Sequence, residues 1–229
     1  MNRQKLISKL NKLSELKYQE FNSKIVNTKQ TLLGVRMPLL RKIAKELAKD
    51  YETNIEIFID NENIFEIVLL EGLMLSYTNK PFDLLKDNIE HYLDKVDSWA
   101  QVDSVMLGFK FITKNPKRSW DILTKWIESD KEFLSRAGIV GILGFFVDEL
   151  YLDEIFRISQ QINNRSYYVM MANAWLISEC MARYPKQTLE FFADNSLDKK
   201  THNMAIQKSI DSLRVSKSNK EQLRLLKKI

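Results

Sequence analysis

The stretch YYVMMANAWLISECMAR, residues 167–183, decides the fold, because it is a long apolar segment with the periodicity of a helix. Segments of the same kind recur along the chain at intervals of about 33–36 residues, which is close to the period of two-helix repeats. We predict five inner helices, at residues 64–77, 99–113, 133–146, 167–183 and 201–213. The regular interval indicates a helical repeat protein.

More polar helices are predicted between the inner ones, at residues 81–96, 116–128, 150–161 and 185–193. Three of them begin with a proline, which the first turn of a helix tolerates because the missing N–H would have no partner there. Since single repeats cannot bury their faces alone, they stack on one another. We therefore expect an all-α fold, an α–α superhelix (solenoid) of two-helix repeats whose inner helices line a concave groove.

The punctuation of the chain indicates one domain over residues 1–229. Only six glycines and four prolines occur, too few for a protein of many strands, and no linker rich in these residues interrupts the series. Residues 1–30 are predicted to form one or two amphipathic helices, and residues 199–229 to form basic capping helices. Gly34 and Pro38 indicate a helix stop followed by a helix that begins at the proline.

Composition argues against several classes of protein. The most apolar stretches carry glutamates and fall short of the ~18 uncharged residues of a membrane span, so no membrane partner is expected. The first residues lack the apolar core of a secretory signal, so a cytoplasmic location is expected. The single cysteine, Cys180, excludes an intrachain disulfide, and His91 and His202 lie far apart in the sequence. We therefore expect no metal and no cofactor.

The net charge of +5 is distributed unevenly along the chain. Residues 1–50 hold 12 basic and 4 acidic side chains, and residues 199–229 hold 9 and 2. The middle of the chain holds 14 basic and 24 acidic side chains. Basic ends around an acidic middle are typical of surfaces that bind a polyanion, although lysine-rich solvated helix faces give the same pattern.

The segment Ser98-Trp99-Ala100-Gln101-Val102-Asp103 carries the chemistry that stands out most. Trp99 and Asp103 are four residues apart, so a helix places both on one face. A carboxylate beside the electronegative face of an aromatic ring suits a cationic guest. The alternative for Asp103 is a helix cap or a structural salt bridge.

Two residues on later inner helices are candidates for the same surface. Arg136 is a single cation in an otherwise apolar helix, and Trp175 lies among small residues that would leave one face of its ring open. Equivalent positions of stacked repeats come together in space. The alternatives are a tryptophan in the core and an arginine paired with Asp130 or Glu132.

These motifs, with Leu33-Gly34-Val35-Arg36-x-Pro38-x-Leu40-Arg41 upstream, resemble the DNA alkylation repair family of AlkD-like DNA glycosylases. The resemblance runs from about residue 32 to the end of the chain. It implies HEAT-like repeats and hydrolysis of the N-glycosidic bond of cationic purines, such as 7-methylguanine and 3-methyladenine, in duplex DNA.

By that resemblance, Asp103 matches the catalytic aspartate, and Trp99 and Trp175 match the tryptophans that flank the deoxyribose of the lesion. Arg136 matches an arginine beside the DNA backbone. The best-known members carry a second acid where this chain has Ala100, and a lysine and an arginine where it has Met171 and Ser178.

The basic C-terminal segment adds Lys208 and Arg214 as candidate DNA-binding residues, with a solvated capping helix as the alternative. The partner implied is duplex DNA with alkylated bases, bound by a monomer that associates with the nucleoid. Two other functions stay open: a DNA-binding homologue without chemistry, and a protein–protein scaffold. A serine hydrolase is disfavoured, since no G-x-S-x-G motif occurs.

Overall fold

The computed structural model describes residues 2–58, 63–110 and 112–228, which form helices joined by short loops. Within these ranges, the β pairing is limited to an isolated bridge between Thr31 and Ile64. The prediction of an all-α repeat fold is confirmed. In the described part of the chain, no helix has the length and apolarity needed to cross a membrane.

Fourteen α-helices cover most of the described residues. They are α1 (Arg3–Leu13), α2 (Leu16–Val26), α3 (Met37–Ala48), α4 (Tyr51–Asn54), α5 (Phe65–Tyr77), α6 (Lys86–Leu93), α7 (Trp99–Met106), α8 (Pro116–Ile127), α9 (Glu132–Phe145), α10 (Leu152–Gln161), α11 (Tyr167–Arg183), α12 (Pro185–Ala193), α13 (Lys199–Asp211) and α14 (Lys217–Leu225). Short 3₁₀ turns lie at Ile55–Phe58, Phe82–Leu85 and Ile112–Lys114.

Several predicted helix bounds were wrong. The helix predicted at 81–96 begins as a 3₁₀ turn, because Pro81 has an extended backbone, and only Lys86–Leu93 is α-helical. The helix predicted at 99–113 ends at Met106. Gly108 follows shortly after, and glycine costs about 1 kcal/mol relative to alanine inside a helix. The α11 and α12 bounds agree with the prediction.

The loop before α3 also differs from the expectation. Gly34 does not end a helix, because α2 already ends at Val26. Its φ of 86° lies in the left-handed region that favours glycine. The carboxylate of Glu66 accepts the backbone N–H of Leu33, Gly34 and Val35 at 2.8–3.2 Å. The predicted proline start is confirmed, because Pro38 lies in the first turn of α3.

The chain forms two compact units, Met1–Ser119 and Trp120–Ile229. The prediction of one continuous domain over residues 1–229 stays a prediction. In the first unit α5 packs against α3 and α7, and it is apolar and buried on nearly all sides, as expected for a central helix. The N-terminal residues form two helices, and Leu6 and Leu10 of α1 are fully buried.

In the second unit α11 packs against both α9 and α13. Glycine permits the close approach of α8 and α9, because a Cβ at Gly138 would lie 2.5 Å from the carbonyl oxygen of Leu123. A Cβ at Gly141 would lie equally close to the Leu123 side chain. Gly138 and Gly141 therefore allow α8 and α9 to pack closely.

Hydrogen bonds one repeat apart recur in both units. In the first unit the Gln101 side chain donates to the Phe65 carbonyl, 36 positions away. In the second unit the Tyr168 backbone N–H donates to Glu132, also 36 positions away. These bonds join successive inner helices, so the interval read from the sequence is also the interval at which helices pack.

Candidate active site

The start of α7 carries the tryptophan–aspartate pair. Ser98 is the N-cap of α7, and its hydroxyl accepts the backbone N–H of Ala100 at 3.4 Å. The buried residues of α7 are Gln101, Val102, Val105 and Met106. Trp99 and Asp103 are both partly exposed, and their spacing makes them neighbours on the helix surface. The expected shared face is therefore present in the first unit.

Asp103 lies in the second turn of α7, whereas Ser98 provides the cap. The alternative that Asp103 caps this helix was wrong. Asp103 is partly exposed, and the alternative of a structural salt bridge stays a prediction. Ala100, the position where the family's best-known members carry a second acid, is also partly exposed.

The indole of Trp99 contacts the end of α2. Its Nε1 donates to the carbonyl oxygen of Ile25 at 3.3 Å. The buried hydroxyl of Ser98 donates to the carbonyl of Val26. These bonds could not be predicted from the sequence, because they join residues more than 70 positions apart. The end of α2 thus contacts both Ser98 and Trp99 at the start of α7.

In the second unit, Arg136 is a buried residue of α9 with only 5% of its surface exposed. Its Nη1 donates to the backbone carbonyl of Tyr168 at 2.6 Å, and its guanidinium lies 6.0 Å from the centre of the Tyr168 ring. The Tyr168 N–H in turn donates to Glu132. Arg136 therefore links α9 to the start of α11, and its contact with a DNA backbone stays a prediction.

Trp175 lies near the middle of α11 and is partly exposed, between the buried residues Ala174 and Leu176. Met171, four residues earlier on the same face, is also partly exposed. Ser178 is 6% exposed. The open ring face that the small neighbours predicted is thus compatible with the structure. The two positions where this chain lacks the cations of the family differ from each other in burial.

The predicted DNA-binding residues of the C-terminal segment lie in different settings. Lys208 is a partly exposed residue of α13. Arg214 is exposed on one side but forms a bidentate ion pair with Glu179 of α11. Arg183 also contacts Glu179 at 2.9 Å. The hydrogen bonds from Arg214 and Arg183 lower the pKa of Glu179. Arg214 is therefore held against α11 by an ion pair.

A buried ion pair lies in the first unit. Lys95 Nζ lies within 3.1 Å of both carboxylate oxygens of Glu71 and also donates to the Phe58 carbonyl. Burial nevertheless raises the pKa of Glu71 to about 7, against the opposing effect of Lys95. Tyr92, buried nearby on α6, donates from its hydroxyl to the Gln101 carbonyl. These groups support the segment that leads into α7.

The predicted site residues are divided between the units. Trp99 and Asp103 belong to the first, and Arg136 and Trp175 to the second. The prediction that the four line one surface stays a prediction. Among the residues that the structure describes, no group of three or more histidine, cysteine or acidic side chains is arranged to hold a metal ion.

The structure is that of an all-α helical repeat protein. On one of its inner helices a tryptophan and an aspartate are partly exposed on the same face, and such a pair suits a cationic ligand. The family model described as DNA alkylation repair enzyme matches residues 6–213. The chain belongs to this family, which supports a role in DNA repair with DNA as the partner. A search of curated proteins finds no match.

Proposed function

We propose that the protein is a DNA glycosylase that hydrolyses the N-glycosidic bond of cationic alkylated purines, such as 7-methylguanine and 3-methyladenine, in duplex DNA. The observation that carries the proposal is the partly exposed pair of Trp99 and Asp103 on one face of α7, in a chain of the DNA alkylation repair enzyme family. The proposal needs neither a metal nor a cofactor.

The reaction places its main demand on the sugar. Alkylation gives the purine a positive charge, so the base leaves as a neutral molecule that takes the electron pair of the bond from C1′. A positively charged oxocarbenium ion develops on the deoxyribose, and water adds to C1′ and loses a proton. The carboxylate of Asp103 would stabilise the developing charge and orient the water, and it would accept the proton directly or pass it to solvent.

The two tryptophans would complete the environment of the sugar. An aromatic face attracts a cation with about 0.5–2 kcal/mol, depending on how far water is excluded. Trp99 is held beside Asp103 on α7, and Trp175 presents a partly exposed ring on α11. Both rings would therefore favour the charged transition state over the neutral sugar of undamaged DNA.

The two arginines that were predicted to contact the DNA backbone both make contacts within the protein. Arg136 is buried against Tyr168 and Arg214 is paired with Glu179. Each phosphate that a protein neutralises strengthens binding by counterion release, so arginines already held in contacts within the protein contribute less. A second candidate function is a DNA-binding homologue that recognises the duplex without catalysing base release, and it is favoured by Ala100, where the best-known members of the family carry a second acid.

Base release from defined duplexes separates the two candidates. The full chain is incubated in excess with a duplex that carries one 7-methylguanine, and the free base is measured by chromatography. A duplex with uracil, a neutral lesion, is the matched control substrate. We expect release of 7-methylguanine and none of uracil.

Salt-dependent binding of the methylated duplex without base release would instead support the second candidate. The absence of both binding and release would contradict both functions.

A further inference from the structure

The end of α2 and the first residues of the loop that follows it form a segment that is attached to the start of α7 by a set of hydrogen bonds. The Thr28 hydroxyl donates to Asp97 Oδ1 at 2.5 Å, and the Lys29 backbone N–H donates to Asp97 Oδ2 at 2.7 Å. The Ser98 hydroxyl donates to the Val26 carbonyl. Both oxygens of the Asp97 carboxylate therefore accept hydrogen bonds from this segment. We call these three hydrogen bonds the α2–α7 clamp.

The clamp fixes the path of the backbone at the end of α2. Asn27 adopts a left-handed conformation with φ of 44°, so the chain turns sharply between Val26 and Thr28. The carbonyl of Ile25, which accepts the indole N–H of Trp99, lies directly before this turn. Since hydrogen bonds to a charged carboxylate are stronger than neutral ones, Asp97 is the main anchor of the turn.

We infer that Thr28 and Asp97 are positioning residues for Trp99, acting through the Ile25 carbonyl, which holds the indole in one orientation beside Asp103. The inference rests on the proposed function, in which the ring faces the reacting sugar. A partly exposed tryptophan has rotameric freedom unless its N–H is held. Catalytic groups must be kept within about 0.5 Å of the productive geometry, so support of the ring affects rate more than binding.

The clamp also separates the roles of two neighbouring aspartates. Asp97 lies only two positions before Trp99, and it is an acid near Ala100, where members of the family carry a second acid. Its two oxygens accept bonds from Thr28 and Lys29. Asp97 therefore bonds within the protein, whereas Asp103 is the proposed catalytic group.

The orientation of Trp99 can be measured without any reaction. The full chain is labelled with 5-fluorotryptophan, and its four tryptophans are assigned by single tryptophan-to-phenylalanine variants. In Thr28→Val and Asp97→Asn we expect the fluorine resonance of Trp99 to shift and broaden while those of Trp120, Trp126 and Trp175 stay in place. Thr28→Ser, which keeps the hydroxyl, should retain the wild-type spectrum. An unchanged Trp99 resonance in both variants would overturn the inference.

Single-turnover base release then tests the consequence. In Thr28→Val the rate at saturating methylated duplex should fall roughly tenfold, whereas the dissociation constant of the duplex should stay within about twofold. The matched control is Thr53→Val at an exposed position of α4, which should change neither quantity.

A shifted Trp99 resonance with an unchanged rate would contradict the positioning role. A wild type that releases no base would contradict the proposed function, and the resonance would still decide whether the clamp orients Trp99.

Discussion

The face of α7 in the first unit and the arginines of the second unit place their side chains in different surroundings. Asp103 is partly exposed beside Trp99, whereas Arg136 is buried against the Tyr168 carbonyl and Arg214 is paired with Glu179. A guanidinium that bonds a buried carbonyl and a guanidinium held in an ion pair both contribute to the stability of the fold. We propose that the Trp99–Asp103 pair takes part in the chemistry and that the two arginines act first as links between helices.

The largest effect on stability is expected at Arg136. In Arg136→Met the buried carbonyl of Tyr168 loses a charged donor, a change that costs about 2–3 kcal/mol of unfolding free energy. The salt dependence of DNA binding should stay as in the wild type, because the guanidinium is already bonded within the protein. Urea unfolding and a salt titration of DNA binding check the two parts. A flatter salt dependence at full stability would show that Arg136 contacts phosphate instead.

The two tryptophans provide a test of whether both units contribute to one reaction. Trp99→Ala and Trp175→Ala should each slow base release by roughly tenfold, the effect of losing an attraction of about 1–2 kcal/mol for the charged sugar. Single-turnover release at saturating duplex is the measurement. Loss of rate in Trp99→Ala alone would confine the reaction to the first unit.

Arg214 should show a smaller effect of the same kind as Arg136. Arg214→Gln removes a partly exposed ion pair, and we expect a loss of about 1 kcal/mol in unfolding free energy. The slope of DNA affinity against salt should change by less than one phosphate contact. A decrease of about one contact in that slope would restore Arg214 as a DNA-binding residue.

Glu71 and Glu179, two of the buried glutamates, should give opposite pH dependences. Burial raises the pKa of Glu71 to about 7 from its usual 4.5, so the native state holds a proton that the unfolded chain releases in this range. The free energy of unfolding therefore falls as the pH rises from about 4.5 to about 7. The Arg214 and Arg183 hydrogen bonds lower the pKa of Glu179, so its contribution is complete above 4.5 and is lost as the pH falls further.

Urea unfolding of Glu71→Gln and Glu179→Gln between about pH 3.5 and pH 8 checks both directions. The loss of unfolding free energy that Glu71→Gln causes relative to the wild type should become smaller as the pH rises toward 8. Glu179→Gln should become more unfavourable as the pH rises from 3.5 toward 5. If the difference in unfolding free energy between each variant and the wild type were the same at every pH, the directions assigned to the two pKa shifts would be contradicted.

Much of the fold could be predicted from periodicity, because α11 and α12 have strong apolar patterns and clear ends. The interval between repeats was also visible in the sequence, and it recurs in the bonds that join Gln101 to Phe65. Helix ends set by local geometry were not predictable. The 3₁₀ turn at Phe82–Leu85 and the early end of α7 depend on contacts that periodicity does not report.

The candidate site was predictable only in part. The spacing of Trp99 and Asp103 is sufficient to place both on one face, since it depends on a single helix. The burial of Arg136 and the pairing of Arg214 depend on neighbours 32 and 35 positions away. The indole of Trp99 is held by a backbone carbonyl at the end of α2, 74 positions away. Every residue has a backbone carbonyl, so the sequence pattern does not indicate which one a side chain contacts.

The proposed role of Asp103 can be tested by measuring the release of 7-methylguanine by Asp103→Asn. Asparagine keeps the shape of the side chain and removes the negative charge, so we predict a loss of about 100-fold in the single-turnover rate at saturating duplex. Asp121→Asn, at an exposed position of α8, is the matched control and should keep the wild-type rate. Equal rates for the wild type and Asp103→Asn would contradict the assignment of Asp103 as the catalytic group.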